Sequence, residues 1–468
     1  MKQLLITLCL CYGLHAMATD IQVSKVKLNR KKALVTFDLQ WKNSWKNDRN
    51  HDAAWVFVKL ELPNGETVHG RLNEKNHNMR VIRYSVKGQV SPSNDGTGAF
   101  VEPVSQYRGD IHWQIDLKLD KAVISQLPDA IEARVYALEM VYIPEGGFTL
   151  GDPDPEALKY SALYRSDANG KPAGLYEIKS EDQSIDIGAA AGNLFYEVER
   201  YPQYRGDQKG QLPPAFPKGV NAFYMMKYEL TQGQYVAFLN SIDTDLAQRL
   251  SPHTTPRYFE SRGSIRLENG RYMAESPNRP CNYITWDDGA LFADWSGLRP
   301  MTELEYVKAA RGPGTPIVHE FPWNTDNKEG LGRYVDLDDE LKLREGLNEA
   351  NLNENNRHEY GASYYWVMDL AGSLWEKCVS IGHPIGRAYR GEHGDGIISA
   401  EGGLPEGWPK GINEEGGYGY RGGGYYEHGK KPGAYNPHSP IAYRPYAAWS
   451  GGKRSIAYSQ RYVRTAKR

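Results

Sequence analysis

The stretch DLAGSLWEK, Asp369 to Lys377, sets two carboxylates at the ends of a small-residue turn. If the turn curls inward, the Asp369 and Glu376 side chains and the carbonyls of Gly372 and Leu374 make an all-oxygen set of the kind calcium accepts. Solvated carboxylates beside a turn are the competing reading. A second acidic run, VDLDDE from Val335 to Glu340, lacks the glycine and the distal glutamate of an EF-hand loop and reads as a solvated face. His428 and His438 share one Gly/Pro-rich loop, where metal ligation competes with an ordinary polar surface. GYGYRG, Gly417 to Gly422, fits the dinucleotide glycine spacing, but HGKKPG comes after it and no helix can start there to receive a pyrophosphate. The run YRGGGYY reads instead as backbone brought close to something and walled by Tyr425 and Tyr426. Neither a G-x-S-x-G nucleophile nor a Walker loop occurs.

The chain as a whole narrows the field. Its 468 residues carry a formal net charge of −2, which gives no electrostatic footprint for nucleic acid. Glycine (48) and tyrosine (32) far outnumber phenylalanine (11), a composition suited to loops and amphipathic binding walls. Residues 1–18 read as a cleaved export signal: Lys2, the apolar run Leu4 to Leu14, then Ala16-Met17-Ala18. A lipoprotein signal competes through Cys9 and Cys11, but Leu8 and Leu10 stand where a small residue is wanted. No other run is long enough to span a membrane, so a soluble product in the periplasm, at the cell surface or outside the cell is expected. There Cys281 and Cys378 are expected to form one disulfide, with two free buried thiols as the alternative.

Two kinds of sequence must position these groups. From 19 to 139 the period is two: Val35, Phe37, Leu39 and Trp41 share one face, Asn64-Gly65 marks a hairpin, and 111–119 and 131–141 alternate again. This predicts an antiparallel β-sandwich of immunoglobulin-like size, a spacer or docking module. From 140 to 468 the chain is mostly irregular. Three helices stand out: capping boxes at Thr231/Gln234 and Thr302/Glu305, and a third helix between them capped by Thr285. The expected class is α+β, with long loops that need bracing by a disulfide, a metal or many hydrogen bonds.

Several segments of this second part, in one order, resemble the sulfatase-modifying-factor or formylglycine-generating-enzyme family. They are MVYIPEGGFTLG, FYMMKYELTQGQYVAFLN, the block from Arg279 to Gly312, FPWNT, DLAGSLWEK, YRGGGYY, IAYRPYAAW and QRYVR. The resemblance implies a loop-rich, C-type-lectin-like fold. It implies calcium at Asp369, Gly372, Leu374 and Glu376, with Asp369 standing for an asparagine, and half of a second site at Asn351 and Leu352. Active members oxidise a substrate cysteine with copper held by two cysteines. Those positions fall here near Tyr426 or Glu427 and near Ala442, and no cysteine occurs after Cys378. Cu(I) wants soft thiolates, so copper is not expected. The histidines of the family's iron-using branches are not recognisable either.

What remains is a concave surface with Arg421, Tyr425, Tyr426, Glu427, Tyr435, Tyr443, Arg444, Tyr446 and Trp449, residue types favoured in binding hot spots. Arg421 and Arg444 could equally tie loops together. The favoured reading is an exported, non-catalytic, calcium-braced protein that binds a protein, peptide or glycan. A formylglycine-generating oxidase and a structural subunit of a gliding or secretion apparatus are the alternatives.

Overall fold

The computed structural model describes residues 21–84, 86–327, 331–335, 341–411, 416–424 and 440–467. The expected export signal at 1–18 and the candidate residues Tyr425, Tyr426, Glu427, His428, Tyr435 and His438 lie outside the described residues.

Nine strands come first: β1 (Gln22–Asn29), β2 (Leu34–Lys46), β3 (Asp52–Glu61), β4 (Thr67–Gly70), β5 (Asn78–Arg83), β6 (Gly88–Pro92), β7 (Ala99–Pro103), β8 (Tyr107–Lys118) and β9 (Glu132–Ile143). One antiparallel sheet runs β1-β2-β8-β5. The alternation in β2 sends Val35, Phe37, Leu39 and Trp41 inward, against Trp113, Ile115 and Leu117 of β8 and Ala54, Val56 and Val58 of β3. The second sheet contains β9-β3-β7-β6, with β4 added on β3.

The second sheet does not stop there. β9 pairs with β3 along one edge, from Asp52↔Val141 to Glu61↔Glu132, and with β10 (Phe223–Met226) along the other. β10 pairs with the late strand β15 (Tyr462–Thr465), which holds the short β11 (Arg299–Pro300). One sheet therefore joins both parts of the chain, and the 139/140 boundary expected from the sequence falls inside β9 rather than in a linker. This also explains why AAWVFVKLEL lacks a clean polar face. Ala54, Val56 and Val58 pack toward the first sheet, while Ala53, Trp55 and Phe57 enter the large core of the second part. A strand covered on both faces carries a near-continuous apolar run. The N-terminal part thus differs from a free-standing immunoglobulin-like module, because its last strand belongs equally to the second part of the chain.

In the second part, three helices begin at capping boxes: α1 (Gln232–Leu239) at Thr231/Gln234, α2 (Trp286–Trp295) at Thr285/Asp288 and α3 (Glu303–Arg311) at Thr302/Glu305. A small sheet of β12 (Trp375–Val379), β13 (Tyr418–Arg421) and β14 (Tyr458–Ser459), in the order β13-β12-β14, lies beside α3. The class is α+β. Among the described residues no helix is long and apolar enough to cross a membrane.

The expected disulfide is not formed. Cys281 and Cys378 are free and buried. Cys378 faces the Gly419 carbonyl across β12 and β13, whereas Cys281 precedes α2 near the Asn282 carbonyl. Burial pushes both thiols well above their ordinary range, Cys281 with help from Asp288 and Cys378 with help from Glu303. A thiol count on the denatured, unreduced chain from residue 19 onward is expected to find two. A count of zero would restore the disulfide.

Candidate functional site

Glu303 opens α3 and is 2% exposed. Three chain segments converge on its carboxylate. Arg444 donates through Nε (2.5 Å) and Nη2 (2.8 Å), Arg421 through Nη2 (2.8 Å), and the Ile381 amide adds a bond of 2.8 Å. Burial alone would push this carboxyl up, but Arg444 and Arg421 outweigh it and hold it down to about 2. Arg421 and Arg444, expected at a ligand surface, are 1% and 0% exposed and tie β13 and the loop after it to α3 instead. The sequence marks Glu305 as the capping-box partner of α3 and gives no sign of Glu303's role. No local pattern distinguishes an N-terminal helix glutamate that meets two distant arginines from one that meets water.

The YRGGG glycines do bring backbone close to something. Gly422 has φ +93°, and a side chain there would meet the Leu370 carbonyl at 2.6 Å. Its own carbonyl accepts from the Gly372 amide at 3.1 Å. β13 thus clamps the 369–376 turn, where Asp369 adopts a left-handed φ of +60°, a conformation that asparagine and aspartate tolerate best after glycine.

The carboxylates of this turn are not solvated. Glu376 is 0% exposed and accepts from Arg461 at both oxygens (2.6 and 2.8 Å). Asp369 is 3% exposed and takes Arg333 on Oδ2 at 2.7 Å. A third carboxylate, Glu229, joins them without any signal in the sequence. Its Oε1 accepts the Leu374 amide at 3.0 Å. Asp369 Oδ1, Glu229 Oε2 and Ser373 Oγ are buried without a hydrogen-bond partner. Burial and then Glu376 push the Glu229 carboxyl well up, only partly opposed by Arg461. Orphaned oxygens of this type are what a hard cation takes. Of the four residues expected to hold calcium, Asp369 keeps one unpartnered oxygen, while both oxygens of Glu376 accept from Arg461. Asn351 and Leu352 are not gathered into this group. The Asn351 carbonyl accepts from Asn353 and Asn356, and Leu352 packs into the main core.

The described part of this region carries an aromatic face. Trp449, Tyr446, Tyr458, Tyr204 and Tyr201 are each half-buried. Tyr204 lies 5.1 Å and Tyr446 5.5 Å from Trp449, ring to ring, and Tyr201 stacks on Tyr446 at 5.4 Å. Tyr443 stacks on Tyr160 at 4.2 Å and donates to or accepts from His319 at 3.0 Å. Tyr201 and Tyr204 come from a stretch without periodicity, so nothing local marks them. An open cleft of about 590 Å³ beside this face is lined by Tyr204, Trp449, Gln203, Arg205 and His383. Ala442, where the second family thiol would stand, is 5% exposed and packs with Ala157 and Ala162 under Tyr443.

Residues 129–457 match the sulfatase-modifying factor enzyme 1-like domain. The chain belongs to the sulfatase-modifying-factor family. It is similar to the formylglycine-generating enzyme of Thermomonospora curvata, 24% identical over 110 residues, 23% of this chain and 36% of that protein. A hercynine oxygenase of Mycobacterium tuberculosis is 24% identical over 174 residues (35% of this chain, 39% of that one). The inactive C-alpha-formylglycine-generating enzyme 2 of Mus musculus is 29% identical over 128 residues (26% and 38%). The alignments span less than two-fifths of each of these relatives. This member of the family offers no fit to the copper of its active branch. Position 442 is an apolar corner, no cysteine occurs after Cys378, and Cys281 and Cys378 are free and buried. Among the described residues no three His, Cys, Asp or Glu side chains converge as a metal site.

Proposed function

We propose that this sulfatase-modifying-factor protein is an exported, non-catalytic binder. Calcium braces its loops at Asp369, Gly372, Leu374 and Glu376. A lectin-like loop domain presents the Trp449–Tyr204–Tyr446 face to a protein, peptide or glycan. The N-terminal sheets, immunoglobulin-like in size and strand type, serve as its docking platform.

One observation carries the reading. The corner where the family resemblance would put a copper thiolate is filled by Ala442, Ala157 and Ala162. Cu(I) needs two soft donors there, and methyl groups supply none. The half-buried tyrosines and tryptophan beside that corner are residues that combine apolar contact area with a hydrogen-bonding tip. The kinship with a mouse protein named inactive is consistent with the same loss.

The test is direct. Purified mature protein is incubated with a sulfatase-type cysteine peptide, Cu(I) and oxygen, and the peptide is weighed by mass spectrometry. No mass change is expected. Conversion of the cysteine would overturn the proposal in favour of an oxidase.

A further inference from the structure

A large apolar side chain exposed singly needs no explanation, whereas a group of them marks an interaction site. Of the ten that are exposed among the described residues, four lie at one flank of the N-terminal sheets: Val81, Ile82, Tyr84 and Val104, at 39%, 47%, 52% and 47%. The first three belong to β5 or follow it directly. Val104 follows β7, and its amide donates to the Lys87 carbonyl at 3.1 Å, which brings it beside the β5–β6 connection.

This flank is a double edge. β5 pairs with β8 along one side, from Asn78↔Asp116 to Arg83↔His112, and with no described strand along the other. β6 ends the second sheet and pairs only with β7. Both sheets therefore stop here. Met79 still packs against the core between them, but Val81, opposite Trp113, is exposed. The apolar row of the sandwich runs past its last strand. Two local features mark the same place. The β5–β8 register shifts between Val81 and Arg83, and Tyr84 takes a φ of +63°. A bulky residue in that region is an outlier, and such strain collects where a protein binds something.

Charge selects the partner. Arg80, Arg83 and Lys87 are exposed along this edge. Arg80 donates to the neutral Gln114 side chain, and among the described residues no carboxylate pairs with any of the three. Pairing with a second copy, in the antiparallel register that meets Val81 with Ile82, would set Arg80 against Arg83 twice. Like charges directly opposite each other destabilise a ladder. The same cations attract an acidic strand, so the edge discriminates against its own kind.

We propose that β5 takes up an extended segment of a partner protein in which acidic and apolar residues alternate. The segment adds to the first sheet beside β5. Its apolar face covers Val81, Ile82 and Tyr84, and its carboxylates, on the other face, meet Arg80, Arg83 and Lys87. The inference rests on the reading of the N-terminal sheets as a docking platform. The cysteine-peptide assay does not involve this edge, so each can fail alone.

Fluorescence anisotropy tests it with the labelled peptide EVEIEVE, its basic counterpart KVKIKVK and a fully N-methylated EVEIEVE. EVEIEVE is expected to bind at about 100 µM or tighter, and the other two at least about ten-fold more weakly. Arg83→Glu and Ile82→Asp, both exposed changes, should each weaken EVEIEVE by about ten-fold. No anisotropy change with EVEIEVE up to about 1 mM would sink the proposal. So would equal binding of the N-methylated form, or indifference to Arg83→Glu. Sedimentation of the protein alone is expected to show no association through this edge. A dimer abolished by Ile82→Asp would assign the edge to a second copy and overturn the proposal as well.

Discussion

Glu303→Gln is expected to lower the stability of the protein by about 3–5 kcal/mol, read as a shift in the urea midpoint at unchanged slope. The loss comes from what stays behind. Arg421 and Arg444 are 1% and 0% exposed and share this one carboxylate. Glutamine keeps the shape and one acceptor but removes the charge that makes two buried guanidiniums tolerable. The consequence reaches three segments at once, because Glu303 also caps the Ile381 amide. The same carboxylate gives a pH signature. Its pKa is about 2 in the folded chain against an ordinary 4.5. A depressed carboxyl stabilises the fold fully above its unfolded value and loses that contribution as pH falls through the folded one. About 3 kcal/mol is therefore expected to fade between roughly pH 5 and pH 2 in the native sequence, and to be missing from the pH profile of Glu303→Gln. A variant with an unchanged midpoint and profile would mean that the arginines find other partners.

Calcium removal is the second large effect. A chain held at about a hundred times the calcium dissociation constant gains about 3 kcal/mol from binding, so chelation should lower its melting temperature by several degrees. Asp369→Ala should melt at one temperature with or without chelator, whereas Asp369→Asn, which keeps the oxygen, should retain the response. Glu376 is a poorer probe, since removing it strands Arg461, 0% exposed, beside no other full carboxylate pairing of that geometry. A native protein whose melting ignores chelator would show that the orphaned oxygens of Asp369 and Glu229 are served by water or a proton instead.

The sequence was legible where the physics is local. Capping boxes fix a helix start through side chains three residues apart, and Thr231, Thr285 and Thr302 each begin a helix. Alternation in β2 names its buried face, and Gly422 had to be glycine because backbone passes within reach of its missing side chain. The order of short motifs pointed to the family, and the shortage of late cysteines argued against its copper chemistry. Less was legible wherever a residue's partner lies far along the chain. Arg421 and Arg444 look the same in sequence whether they meet a ligand or Glu303. Tyr201 and Tyr204 look like loop residues until Trp449 is folded against them. Two cysteines in a chain read as exported suggest a bond, and only the structure, where both are free and buried, denies it.

By itself, then, the sequence determined which helices start where, which strand faces are apolar, which family the chain resembles and which redox donors it lacks. Those properties depend on residue types at short spacing. The tertiary structure alone decided that β9 is shared by two parts of one sheet, that the arginines of the supposed ligand face point inward, and that β5 ends a sheet built from strands distant in the chain. Each of these joins groups far apart along the chain or on opposite sides of a sheet. Charge pairing and burial are properties of the assembled surroundings, and no local pattern encodes them.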